Sequence, residues 1–235
     1  MANGRVVHNT LLLRLPDEEF ETLQPHLKYM PFTLAACLQR EHEPIANVFF
    51  MNEGIASMLV ETDDGRSVEV GVSGREDMIG LLLTAGLNSY PHSVIVQVPG
   101  DGFRIDSNTI RNAIANLPEF RRMLVRLLGI RSVQFAQNAA CNRLHNVRQR
   151  LARWLLVTHD RLESDTVATT HDFLSKMIGT DRPTVSVAIA DLEREGIVAR
   201  SRGSIQIVNR AGLEQLSCRC YAAYQQFNAE LGLQR

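Results

Sequence analysis

The hydrophobic period of this chain changes once, at Pro118, and that change limits what the chain can fold into. Ahead of Pro118, apolar and β-branched residues come in runs of strand length, at 48–51, 55–61, 67–72 and 93–98. Turn residues separate them: Asn52-Glu53-Gly54, Asp63-Asp64-Gly65, Ser73-Gly74 and Pro99-Gly100-Asp101-Gly102. Short strands at this density predict a small antiparallel barrel or roll between Pro31 and Ile105. Asp64-Gly65 predicts a hairpin, because glycine tolerates the positive φ of a tight turn. A short helix is predicted over 17–27, with Pro16 at its start and acids in its first turn.

Beyond Pro118 the period is helical. Ile130, Val133, Gln137, Ala140, Leu144, Val147 and Leu151 follow in steps of three and four, the spacing of a helix seam. The seam predicts a long helix that pairs with its copy in a homodimer, with Gln137 as the polar interruption that sets register. Packing of that face on its own domain is the alternative. From 119 to 153 there are eight arginines (Arg121, Arg122, Arg126, Arg131, Arg143, Arg148, Arg150, Arg153) against one acid, Glu119. They read as a solvated face or as groups that approach nucleic acid or an acidic surface.

Charge over the whole chain is balanced, 25 Lys plus Arg against 26 Asp plus Glu. That excludes attachment to nucleic acid by bulk charge and leaves room for a local basic face. Four cysteines (Cys37, Cys141, Cys218, Cys220) make no disulfide framework. No run has the roughly 20 apolar residues of a membrane span, and the N-terminus lacks the apolar core of a secretory signal. The expectation is a cytoplasmic protein with no membrane partner.

The stretch 169–210 carries the chemistry. Thr169, with Asp172 three residues on, caps a helix whose apolar face is Phe173, Leu174, Met177 and Ile178. Gly179 ends it. Asp181 then caps a second helix with Pro183 in its first turn, buried through Val185, Ile189 and Leu192. After Gly196, the runs 197–199 and 205–208 flank a turn at 200–203 and read as a two-stranded wing. This is the order of a winged helix-turn-helix, whose second helix enters the major groove of double-stranded DNA. Thr170, Thr180, Asp181, Arg182, Pro183, Thr184, Ser186 and Val187 are the candidate contacts, with Arg182 placed to hold a guanine in bidentate fashion. Arg200, Arg202 and Arg210 suit phosphates. From 146 to 235 there are 12 basic and 10 acidic residues, so the positive field is local.

Three runs carry a family resemblance: Asp63-Asp64-Gly65-Arg66 followed by SVEVG, GREDMIG at 74–80, and ACNRLHNVRQRLARWLLVTHDRL at 140–162. With them the chain, from about 10 to 220, resembles the Crp/Fnr family of bacterial transcription regulators. The resemblance implies an α+β protein: a cyclic-nucleotide-binding-like β-roll (1–117), a dimerisation helix (118–145) and a winged helix-turn-helix DNA-binding domain (146–235). It implies a homodimer that reads a two-fold symmetric DNA site, takes a signal through the roll, and touches RNA polymerase if it activates. It implies no enzyme.

The departures narrow the effector. Members that bind cyclic AMP carry a Gly-Glu pair and an Arg-Ser pair; the corresponding positions here are Gly80-Leu81 and His92-Ser93, with Phe135-Ala136 near the place of the base-reading pair. Without the Arg, a buried phosphate loses a charge-assisted bidentate contact. Cyclic AMP is not expected. The iron–sulfur branch uses an N-terminal cysteine cluster, and no cysteine precedes Cys37. Haem is not expected either, since His8, His26, His42 and His92 have no distinctive spacing. His92 reads as an exposed turn residue, with a pH response near neutrality as the alternative. In the second helix Pro183 and Val187 replace a Glu and an Arg of members that read the best-known palindrome, which predicts a different operator.

Rival readings are weaker. A metal-dependent cupin needs several histidines and a Glu on two strand pairs, and the roll offers His42 and His92. His159-Asp160 beside Ser164 reads as helix-end capping. Cys218 and Cys220, one residue apart, fall short of the four ligands of structural zinc, so reduced, partly buried thiols are expected, with a redox pair as the alternative. A dimeric signalling adaptor whose winged helix binds protein is the non-DNA alternative.

Overall fold

Asn9 caps α1 (Thr10–Leu13) by accepting the Leu12 amide, and α2 (Asp17–Leu23) starts after Pro16 with three acids in its first turn, where they oppose the positive end of the helix dipole. The helix predicted to reach 27 tightens instead into a 3-10 turn over Gln24–His26, since Pro25 has no amide to continue the ladder. The computed structural model describes residues 2, 4–162 and 164–230, the side chains of 227, 228 and 230 excepted. The last five residues of the predicted third domain therefore lie outside the described residues.

Seven strands follow: β1 (Lys28–Phe32), β2 (Cys37–Gln39), β3 (Asn47–Met51), β4 (Ile55–Glu61), β5 (Ser67–Ser73), β6 (Ser93–Val98) and β7 (Gly100–Asp106). They form two sheets, ordered β1-β7-β3 and β2-β6-β4-β5. The four predicted strands are present within one residue of their bounds. The predicted turn at 99–102 is not one: β7 begins at Gly100 and pairs with both β1 and β3. A Cβ on Gly102 would stand 2.1 Å from the Phe50 carbonyl oxygen, and one on Gly100 would stand 2.2 Å from that of Glu53. Glycine here marks a close backbone approach inside a strand rather than a break in it. The Asp64-Gly65 turn is as predicted, with Gly65 at φ +77° and the Thr62 amide donating to the Arg66 carbonyl.

The helices are α3 (Ser107–Asn116), α4 (Pro118–Leu144) and α5 (Val147–His159). After β8 (Thr166–Ala168) come α6 (His171–Ile178), α7 (Arg182–Arg194), β9 (Val198–Ser201), β10 (Ser204–Ile207), α8 (Arg210–Leu216) and α9 (Arg219–Glu230). The chain makes two compact units, one of Met1–Met58 and Gly71–Val133, the other of Leu59–Val70 and Gln134–Glu230. Among the described residues no helix is long and apolar enough to cross a membrane.

In the first unit Phe50, Phe103, Ile110, Phe120 and Leu124 are fully buried in one core with Leu12, Leu23 and Leu27. Glu19 of α2 accepts from the Glu119 and Phe120 amides at 2.9 and 2.8 Å, satisfying the start of α4. Arg131, one of the arginines read as a solvated face, is buried and paired with Asp77. It also donates to the Val72 carbonyl at 2.5 Å. Its charge belongs to the fold.

In the second unit α5 is buried from Arg150 through Thr158. The tip of the β4–β5 hairpin belongs to this unit, where Glu69 accepts from the Trp154 indole at 3.3 Å and Asn138 donates to the Val70 carbonyl at 2.6 Å. The predicted seam does not run on through Val147 and Leu151. Asn146 opens a new helix with a capping box to Gln149, and Leu151 is fully buried in the second unit.

Candidate nucleic-acid interface

Two helices and a small sheet build the interface, all within the second unit. Thr170, not the expected Thr169, caps α6, its hydroxyl accepting the Phe173 amide at 3.1 Å. Gly179, at φ +66°, ends that helix in the left-handed conformation. The Thr180 amide closes the turn on the Ser175 carbonyl, and Asp181 caps α7 by accepting the Thr184 amide at 2.8 Å. Leu174, Met177 and Ile178 of α6 and Val185, Ala188, Ile189 and Leu192 of α7 are buried. Their burial leaves the opposite face of α7 in solvent.

On that face Arg182, Pro183 and Val187 are exposed, Val187 at 62%. Among the described residues Arg182 makes no ion pair. Thr184 and Asp181 have work inside the chain: the Thr184 hydroxyl donates to the Asp181 carboxylate at 2.8 Å. The Thr184 amide and hydroxyl hold that carboxyl below its ordinary pKa. Ser186 donates to the Arg182 carbonyl at 2.9 Å and lies 2.8 Å from His171 Nδ1.

The wing is β9 and β10, with β8 added as a third strand in the order β8-β10-β9. Arg202 lies exposed in its turn, beside Gly203 at φ +78°. Arg200 sits instead in β9, opposite Ile205, and pairs with Glu193 of α7, its Nε donating at 2.6 Å. Arg210 is engaged by Asp160 at 2.7 Å and Glu214 at 3.0 Å, and donates to the Tyr221 hydroxyl. It ties α8 to α5 and α9. His159 and Asp160 belong to the same network rather than to simple helix-end capping.

The sequence reading passed over His171. It is the first residue of α6, it touches Ser186 of α7, and burial with the nearby Arg200 and Arg182 charges pushes its pKa down. Its position after the cap Thr170 was the available signal.

The candidate effector residues of the roll are partly occupied by their own chain. Gly80, at φ +118°, precedes a 3-10 turn at Leu81–Ala85, and its amide donates to the Tyr90 hydroxyl at 3.0 Å. A Cβ there would meet Val48 at 2.5 Å. Leu81 is buried. His92 is not an exposed turn residue: it is 6% exposed, with its ring 4.8 Å from that of Tyr90, and burial lowers its pKa to about 4. It does not titrate near neutrality. Ser93 opens β6 and accepts from the Glu41 amide at 3.3 Å. Phe135 lies half-buried on α4, within the second unit.

On α4 the exposed face includes Val125, Arg126, Gly129, Ser132, Val133, Ala136, Ala139, Arg143 and Leu144, with Leu144 at 74% and Val125 at 53%. Ile130, Gln137 and Ala140 are half-buried beside it. Gln137 points its amide to Cys220 Sγ, at 2.9 Å, within its own chain. Cysteine counting along the sequence found two neighbouring thiols, but the fold gathers four ligand-type side chains, Cys141, His145, Cys218 and Cys220.

Residues 149–216 match the model of the Crp-like helix-turn-helix domain. The chain is 26% identical over 194 residues to the CRP-like cAMP-activated global transcriptional regulator of Mycobacterium tuberculosis, covering 79% of this chain and 86% of that one. Among solved structures, FixK2 from Bradyrhizobium japonicum is similar with a TM-score of 0.70 at 18% identity, covering 82% of this chain and 98% of that one. A putative regulator of the Crp/Fnr family from Eubacterium rectale gives 0.70 at 16% identity, covering 88% and 96%. With a Crp-like helix-turn-helix matched in sequence over 149–216 and the architecture of Crp/Fnr regulators matched in fold, the chain is a DNA-binding transcription regulator similar to those of the Crp/Fnr family.

Proposed function

We propose that the chain acts as a cytoplasmic homodimer, paired through the exposed face of α4, that inserts α7 of each protomer into successive major grooves of a two-fold symmetric site. Arg182 reads a base edge and Val187 lies against a base, where a thymine methyl is its apolar partner. Arg202, Thr170 and His171 approach phosphates. The observation that carries this reading is Arg182, exposed and without an ion pair among the described residues, at the start of a helix whose other face is buried. RNA polymerase is a further partner if the regulator activates. The adaptor alternative has no observation in its favour.

We further propose that cyclic AMP is not the effector. The relative from Mycobacterium tuberculosis is cAMP-activated. In this chain the Gly80 amide is already used by Tyr90, and Leu81 and a neutral His92 stand where a carboxylate and a guanidinium would be needed. Iron–sulfur and haem groups are likewise outside the proposal.

Selection of bound sites from a random double-stranded DNA pool tests the reading. The parent protein is expected to enrich a palindrome without added ligand. Arg182→Ala should lose about 1–3 kcal/mol of discrimination per half-site while the protein stays folded. Equal discrimination by parent and variant would move the recognition role off this helix.

A further inference from the structure

We propose that Cys141, His145, Cys218 and Cys220 form a closed, four-coordinate site for one zinc(II) ion. Cys141 lies in the last turn of α4, and His145, four residues on, keeps that turn by donating its amide to the Cys141 carbonyl at 3.2 Å. Residues four apart on a helix face the same way. Cys218 directly precedes α9 and Cys220 is its second residue. The fold therefore brings two ligands from each of two distant segments to one place inside the second unit.

The geometry is that of one ion. The four ligand atoms all lie within 4.8 Å of one another. Cys141 Sγ and Cys218 Sγ are 3.5 Å apart, and Cys220 Sγ is 3.6 Å from His145 Nδ1. A tetrahedral zinc with Zn–S about 2.3 Å and Zn–N about 2.0–2.1 Å has S···S edges of about 3.8 Å and S···N edges of about 3.5–3.6 Å. The separation of the sulfurs is far too long for a disulfide, and the cysteines are free. The four ligands of an iron–sulfur cluster are spread over two or more irons, so they do not all meet as the corners of one tetrahedron. Thiolate and imidazole donors in a closed tetrahedron suit zinc, which needs no further ligand.

Charge makes a second, independent argument. Arg150 and Arg153 of α5 are buried, at 9% and 6% exposure. Among the described residues neither pairs with a carboxylate. Arg150 donates to the Asn142 carbonyl and Arg153 to Asn138, and the Nε of each has no hydrogen-bond partner. Both lie close enough to Cys141 to act on it electrostatically. Unpaired buried cations are costly. Three thiolates and a neutral imidazole on zinc(II) carry a net charge of −1, the counter-charge these arginines lack. On binding, three S–H protons pass to solvent as three Zn–S bonds form. Gln137, donating to Cys220 Sγ at 2.9 Å, is an outer partner that orients a ligand. The ion would join the end of α4 to the start of α9.

The test uses the full chain, reduced and stripped of metal by a chelator, then titrated with cobalt(II) and back-titrated with zinc(II). The expected result is one cobalt per chain, with a thiolate-to-cobalt charge-transfer band and tetrahedral visible bands that equimolar zinc erases. Cys141→Ser and Cys220→Ser should weaken binding at least about 100-fold, and Gln137→Ala about 10-fold. Cys37→Ser should leave it unchanged. His145→Cys keeps four ligands and should raise the charge-transfer intensity by about one third, in proportion to thiolate number, which keeps the test open where serine variants do not fold. Absence of the band in the reduced parent protein, binding insensitive to Cys141→Ser and Cys220→Ser, loss of binding in Cys37→Ser, or iron with sulfide in the isolated protein would each overturn the site.

Discussion

His92 stands against the ring of Tyr90 with 6% of its surface exposed, and burial takes its imidazole from 6.5 down to about 4. The charged form is the one penalised, so the unfolded chain takes up the proton first. The contribution to stability is complete above about pH 6.5, shrinks as the pH falls towards 4, and is gone below that. Its full size is on the order of 3 kcal/mol. Urea unfolding of the parent protein should therefore weaken between pH 6.5 and 4.5 more steeply than that of His92→Phe. Equal slopes would mean that water reaches the imidazole. Pro91 and the neighbouring turn residues hid this burial in the sequence, because a turn signal says nothing of what folds over it.

At the scale of elements, α4 depends on a residue from another helix for its start. Glu19 gives both carboxylate oxygens to the Glu119 and Phe120 amides, where the helix dipole also favours negative charge. Glu19→Ala should cost about 1–2 kcal/mol, the range of a lost N-cap, and Glu19→Gln less, since an amide keeps one acceptor. Denaturant midpoints of the two variants decide it; equal losses would assign the effect to packing rather than to the cap. The α6–α7 pair differs in that its caps, Thr170 and Asp181, are local. That is why it was legible from spacing alone, whereas Glu19 is about a hundred residues from the amides it serves.

For the whole molecule, the proposed function rests on two copies of α7 acting together. Linking two binding modules raises affinity by roughly 10²–10⁴ without a new contact. Val133→Glu places a charge on the exposed face of α4. It should shift the protein towards monomer in sedimentation, and weaken binding to a two-fold site by at least about 100-fold while leaving half-site binding nearly unchanged. A monomeric variant with parental affinity would remove the dimer from the mechanism. Salt should weaken the parent's DNA binding steeply, as counterions return to the phosphates.

The roll, the long helix and the winged helix-turn-helix were legible in order along the chain because their signals are local: period, Gly and Pro positions, and caps such as Asp181 and Gly179. Local signals also placed Arg182 and Arg202 in solvent. They misjudged residues whose partners come from far along the chain. Glycines at 100 and 102 read as a turn and make a strand; Arg131 read as surface and pairs with Asp77 in the interior. Cys218 and Cys220 lie 77 or more residues from Cys141 and counted as two ligands until the fold brought the others to them. Chain-local geometry is set by neighbours within a few residues. Burial, ion pairing and ligand count are set by which distant segments meet, and only the tertiary structure decides that.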